Sequence, residues 1–246
     1  MVIGTTETGD AGLDLSWTAK MDRVDGALLI TKQVSDAFIQ AVLPFSRKVV
    51  VHATCTGYGG TVLEPYVPPY TWQLAQVRRL LAEGFPPRQL VVRIDPLIPS
   101  VRGLMRAGAI VDGICDVVSQ FRISVLDMYP HVRERFLRAG LPLPYGNRFS
   151  ASSGQFALVD RWLLQQRGQG KFSCCAEPML QHCTHEGCVS DDMLQCLGLQ
   201  PDRAYGTGFQ RRTCTCLGCK RQLLPKKGRC VHGCLYCYWK DETAGG

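Results

Sequence analysis

Residues 230–239 read CVHGCLYCYW and place Cys230, Cys234 and Cys237 at C-x3-C-x2-C spacing. Thiolate is a soft ligand that selects zinc, Cu(I) or iron–sulfur clusters. A structural zinc site is closed by four ligands, commonly from two C-x2-C pairs. Cys216 with Cys219 and Cys234 with Cys237 would supply two such pairs and build a zinc ribbon. The triplet supports a different reading, because three thiolates leave a coordination position open for something that is not protein.

The wider cysteine distribution favours metal over disulfides. Of 13 cysteines, 11 fall between Cys174 and Cys237. An odd total fits a complete disulfide set poorly. In a chain without the charged and apolar regions of a signal peptide, clustered thiols read as metal ligands. The start, MVIGTTETGDAGLD, is polar, and no apolar run approaches the roughly 20 residues of a membrane span, so a cytoplasmic protein is expected. The net charge is +7, and residues 203–229 hold eight Lys or Arg with no Asp or Glu. Such a run is either a solvated basic face or a patch for a polyanion.

These ligands need a frame, and 246 residues at 46% hydrophobic content are enough to build one. Apolar runs at 2–6, 26–32, 48–56, 89–95, 121–127 and 171–177 read as strands. Several are nearly continuous in Val, Ile and Leu, as in parallel strands covered on both faces. Helical periodicity marks 71–83, 101–118 and 153–167, with Ser100 and Ser152 as N-caps and Gly84 and Gly168 as stops. Alternation of this kind predicts a parallel sheet, either doubly wound or a barrel, with functional loops at the carboxyl ends of the strands.

The strand ends are accordingly polar or glycine-rich. The third leads into TCTGYGG (54–60), the fourth ends in Arg93-Ile94-Asp95-Pro96, the fifth in Asp127, and the sixth in Cys175 and Glu177. Each alone could be a turn or a strand stop. Four in succession point to a site. Cys55, Cys115 and Trp162 read as core residues, and His182, His185 and His232 as loop histidines with ligand capacity.

The C-x3-C-x2-C triplet with Tyr236 before its last cysteine resembles the signature of radical SAM enzymes. The motifs TGYGG-x3-EPYVP (56–68), RIDP (93–96), ISVLDMY (123–129), CAE (175–177), GCVSDD (187–192) and QRRTCTC (210–216) precede it in order. Together the chain resembles a family of circularly permuted radical SAM proteins that carry the cluster motif last. The resemblance implies an α/β fold, a partial or open parallel barrel, with residues 1–170 as the barrel portion and 171–246 as a Cys-rich segment packed on the same domain. It implies that Cys230, Cys234 and Cys237 ligate a [4Fe–4S] cluster whose open iron binds S-adenosylmethionine (SAM), source of a 5′-deoxyadenosyl radical. Gly57 and Gly59 would let the backbone approach SAM, and Arg93 and Asp95 would bind its carboxylate or ribose. Cys175, Cys188, Cys214 and Cys216 match further family cysteines and would hold a second centre, an auxiliary iron–sulfur cluster or a structural zinc. The chain departs from the family pattern in GTTETGDAG (4–12), in place of an R-T-D-I-P stretch, and at Cys219, where serine is common.

Within that family, a compact basic chain is similar to the phage isomerases of thymidine hypermodification. The similarity implies DNA carrying a modified thymidine as substrate, its base flipped to reach the site, and a flavodoxin or ferredoxin as electron donor. The alternatives are a radical SAM enzyme acting on a small molecule or peptide, and a non-catalytic zinc module binding nucleic acid.

Overall fold

The computed structural model describes residues 1–200, 206, 213–225 and 229–241. Eight strands form one all-parallel sheet: β1 (Ile3–Thr5), β2 (Gly26–Thr31), β3 (Val49–Thr54), β4 (Leu90–Leu97), β5 (Gln120–Val125), β6 (Lys171–Cys174), β7 (Thr184–His185) and β8 (Lys220–Gln222). Their order is β7-β6-β5-β4-β3-β2-β1-β8. Sequential strands lie side by side, so the order lacks the reversal that defines a doubly wound sheet. The sheet is also open, with β7 and β8 at opposite edges. All six strands read from apolar runs are present. The short edge strands β7 and β8 come from residues with no strand pattern.

The last strand joins the first. β8 pairs in parallel with β1, Ile3 opposite Lys220 and Thr5 opposite Gln222. Residues 171–246 thus supply β6 and β7 at one edge and β8 at the other. β4 runs through Pro96, with a register shift against β5 between Ile94 and Leu97, so Asp95-Pro96 does not stop the strand.

Period-two alternation explains what covers each side of the sheet. On the outer face, Ala27, Leu29, Val49, Val51, Leu90, Val92, Phe121 and Ile123 pack against helices. The helices are α1 (Asp36–Val42), α2 (Tyr70–Ala82), α3 (Val101–Asp112) and α5 (Ser153–Gln165). Ser100 and Ser152 cap α3 and α5. The pattern read over 101–118 is cut short at Gly113, where α3 ends. Helix α4 (Pro130–Arg138) packs at the carboxyl end of the sheet through Val132 and Phe136.

On the inner face, Ile3, Leu28, Val50 and Val91 meet Cys188, Val189, Met193, Leu194, Cys216 and Cys219. Met193 and Leu194 belong to α6 (Asp191–Cys196). Toward the strands' carboxyl ends the inner positions turn polar: Thr5, His52, Thr54, Arg93, Asp95, Arg122 and Ser124. Apolar contact therefore ends partway along the strands, and the polar ends frame a cavity. Among the described residues no helix is long and apolar enough to cross a membrane.

His52 illustrates the constraint on that inner face. It is buried at 2% exposure, and its Nδ1 has no hydrogen-bond partner among the described residues. Burial holds its pKa down at about 3, with Cys188 opposing and Arg122 and Arg93 adding to the shift. An unfolded histidine titrates near 6.5, so below that pH the unfolded chain takes a proton that the folded chain refuses. Stability therefore falls as pH drops from about 6.5 toward 3, by about 2 kcal/mol at pH 5 from this residue. Urea denaturation at pH 7 and pH 5 should show that His52→Gln removes this share. Equal pH dependence in both proteins would refute the assignment.

Candidate functional site

A cavity of about 310 Å³ opens at the carboxyl ends of the strands, the end of a parallel sheet where ligands bind. Its walls come from residues after β1, the ends of β2 to β5, Cys188, and the loop Arg229–Trp239. Cys230, Cys234 and Cys237 all line it. Burial raises the thiol pKa of each, that of Cys234 up to about 12, where Lys32 opposes the rise and Glu64 adds to it. As free thiols they are protonated at neutral pH, so a bound metal must displace those protons.

The cysteine loop is held from several sides. His232 is buried, with Nε2 3.0 Å from Asp10 and Nδ1 3.4 Å from the Tyr66 carbonyl oxygen. Asp10 also accepts hydrogen bonds from the Thr31 hydroxyl (2.6 Å), the Lys32 amide (2.8 Å) and the Gly12 amide (2.8 Å). Burial opposes its charge, but His232, Thr31 and Lys32 together keep its pKa below the usual carboxylate value. From α4, Arg135, only 3% exposed, donates to the carbonyls of Cys237 (2.6 Å) and Trp239 (2.7 Å). The Leu235 amide donates to the Leu63 carbonyl (3.0 Å), joining the loop to the 56–68 segment.

That segment carries the TGYGG and EP motifs, and Glu64 is its buried anchor. Glu64 accepts from Lys32 Nζ (2.8 Å) and from the Thr56 hydroxyl (2.7 Å). Lys32 also reaches the Tyr236 hydroxyl (3.0 Å) and lies over its ring. Burial lowers the pKa of Lys32, but Glu64 with Cys234 and Asp95 more than reverses it, so the ammonium stays charged.

The residues read as cofactor contacts divide. Arg93 and Asp95 line the cavity from one face of β4 and form an ion pair. Burial opposes the charge of Arg93, and Asp95, Cys188, Tyr238 and Cys175 outweigh it. The cavity lining does not include Gly57 or Gly59. Their glycine character serves the loop itself: Gly57 has φ of +77°, and a Cβ on Gly59 would strike the Pro68 carbonyl.

The remaining predicted ligands form a second group beneath the cavity. The sulfurs of Cys175, Cys188 and Cys216 lie within 4.8 Å of one another and could hold a metal ion. Cys214 Sγ is 3.7 Å from Cys175 Sγ. Cys216 lies with Cys175 and Cys188, while Cys234 and Cys237 line the cavity with Cys230, so the ribbon pairing of 216–219 with 234–237 does not form. Cys219 is buried in the inner core, as Cys55 and Trp162 are in the outer one. His182 faces Asp160, and His185 the Leu180 carbonyl. Of the basic run 203–229, Arg203, Arg211, Arg212, Lys226 and Lys227 lie outside the described residues. Lys220 pairs with Glu7 and Arg229 with Asp241, each at 3.1 Å.

Asp10, Lys32 and Arg135 are site residues not singled out from sequence. Asp10 and Lys32 follow β1 and β2, so the strand-end rule that found Arg93 and Asp95 would have found them. Arg135 carries no such signal, because its partners lie 102 and 104 residues away.

A family described as Domain of unknown function (DUF1848) matches residues 15–239. The matched span contains every cysteine of the chain and begins after β1 and Asp10. No curated protein and no solved structure matches.

The Lys32–Glu64 pair gives a direct test of the site's internal support. Lys32→Met leaves the Glu64 charge buried and should cost about 3–5 kcal/mol in urea denaturation. Adding Glu64→Gln to that variant should recover most of the loss. A double variant no more stable than Lys32→Met would show that the two residues do not act as a pair.

Proposed function

The chain belongs to this family, and from its cavity and motifs we propose that it is a radical SAM enzyme. In this reading Cys230, Cys234 and Cys237 hold three irons of a [4Fe–4S] cluster. The observation that carries the proposal is the placement of all three thiols on a cavity at the carboxyl ends of parallel strands. The donor set fits, since three soft thiol donors from one loop line the same cavity and thiolates are the ligands of iron–sulfur clusters. The strand order supports the permutation: read from β8, the sheet runs β8, β1, β2 through β7, so the strand before the cysteine loop comes first in space. Cys230, Cys234 and Cys237 would hold the cluster, which together with SAM would supply the one-electron chemistry that generates a 5′-deoxyadenosyl radical.

The protein's part is binding, orientation and exclusion of water. Arg93 and Asp95 present opposite charges to the cavity, suited to the carboxylate and ammonium of an amino acid. Thr54 Oγ1 and Arg93 Nε are buried beside it with no hydrogen-bond partner among the described residues, a costly arrangement that a polar ligand relieves. Asp10, through His232, and Arg135, through two carbonyls, fix the loop that carries the ligands.

For the substrate we propose a glycyl group linked through nitrogen to the thymine methyl carbon in DNA. The reaction is an isomerisation. The methylene–nitrogen bond breaks, a bond from that methylene to the glycine α-carbon forms, and one hydrogen passes from the α-carbon to nitrogen. This assignment rests on the family resemblance and on the basic run 203–229. The engagement of Lys220 and Arg229 in internal pairs favours, as a second reading, a small-molecule or peptide substrate.

Anaerobic purification should give a brown protein with about four irons and four sulfides per chain from this site, lost in the Cys230→Ala/Cys234→Ala/Cys237→Ala variant. With SAM and a reductant it should release 5′-deoxyadenosine. A protein that binds no iron under these conditions would overturn the radical SAM reading. Nucleosides from glycyl-modified DNA should change chromatographic retention without changing mass. DNA affinity should fall steeply with salt, and absence of affinity at moderate salt would select the small-molecule substrate.

A further inference from the structure

We propose that Cys175, Cys188, Cys214 and Cys216 bind one zinc ion in a closed, tetrahedral four-thiolate site. This inference does not depend on what the C-terminal triad binds.

The four thiols arrive from three separate places: after β6, before α6 and ahead of β8. Three sulfurs lie within 4.8 Å of one another, and the fourth, on Cys214, is 3.7 Å from Cys175. A zinc–sulfur bond of about 2.3 Å sets sulfurs about 3.8 Å apart along a tetrahedron edge. A disulfide requires about 2.05 Å between sulfurs, well short of the 3.7 Å between Cys175 and Cys214. A four-iron cluster interposes its irons and sulfides between the ligands and spreads them further. The sulfurs of Cys175, Cys188 and Cys216 are spaced for a single ion, and Cys214, beside Cys175, stands next to them as the fourth donor.

The surroundings suit a dianionic centre. All four cysteines line one small cavity of about 70 Å³, whose other charged walls are Arg93, Arg122 and the Lys220–Glu7 pair. The Cys188 amide donates to Cys216 Sγ at 3.1 Å, the kind of contact that stabilises a metal-bound thiolate. Gly187 lets the two segments touch, since a Cβ there would come 2.5 Å from Cys216 Cα.

Four protein ligands leave no open position, so the ion is structural. It ties three segments of the Cys-rich region to the inner face of the sheet. Cys188 also lines the central cavity, so the ion braces that cavity's floor.

The test uses the full chain carrying Cys230→Ala/Cys234→Ala/Cys237→Ala, which leaves this group intact. Elemental analysis should find one zinc per chain and neither iron nor sulfide. Exchange for cobalt(II) should produce the visible bands and sulfur-to-metal charge transfer of a four-thiolate tetrahedral site. Cys214→Ser in the same background should weaken the charge-transfer band. If the triple variant is insoluble, the wild-type chain decides, with one zinc expected beside whatever iron it holds. Iron with sulfide in the triple variant, absence of zinc from both proteins, or a cobalt spectrum indifferent to Cys214→Ser would overturn the proposal. A wild-type chain with zinc but no iron would refute the radical SAM reading and leave this one standing.

Discussion

The placement of the three cavity cysteines depends on the parallel pairing of β8 with β1. That ladder, Ile3–Lys220 to Thr5–Gln222, joins regions more than 200 residues apart. It is short, and other contacts between the same regions reinforce it. Lys220 pairs with Glu7, the Thr8 hydroxyl donates to the Leu224 carbonyl, and His232 meets Asp10. With β8 at this edge the chain returns beside β1, and the loop 230–238 then reaches the cavity shared with Arg93 and Asp95 and joins the 56–68 segment through Leu235 and Leu63. Closing so long a loop is an entropic cost borne once, and buried Asp10 concentrates several of the contacts that offset it.

Much of the frame was legible because buried parallel strands advertise themselves. Val49 to Val51 and Leu90 to Val92 are continuous apolar runs, and Ser100 and Ser152 cap helices where expected. The short elements were not. β7 and β8 have two and three residues, too few for a period to register. Helices α1, α4 and α6, of seven, nine and six residues, did carry end signals in Ser35, Pro130 and Ser190, but little periodicity.

The site was legible in its chemistry and less so in its geometry. Soft-metal residue types and their spacing singled out Cys230, Cys234 and Cys237, the family resemblance grouped Cys175, Cys188, Cys214 and Cys216, and strand-end position drew attention to Arg93 and Asp95. What spacing could not tell was partnership. Cys216 and Cys219 look like a pair along the chain, yet Cys216 joins Cys175 and Cys188 while Cys219 enters the core. Gly57 and Gly59 were read for what a ligand would need, and the loop's own turn and its approach to Pro68 account for them. Side chains that act across the fold, Arg135 above all, leave no trace in local pattern.

The β8–β1 ladder also imposes an order of events during synthesis. The amino-terminal strands emerge first and can begin to associate, but β1 keeps an unpaired edge until residues 220–222 follow. Cys230, Cys234 and Cys237 emerge later still. The cavity can be completed only after nearly all the described chain has been made, so any metal entering it meets a largely assembled sheet rather than a nascent peptide. Among the described residues, the loop 230–238 is thus a late addition to a sheet whose strands precede it in the chain.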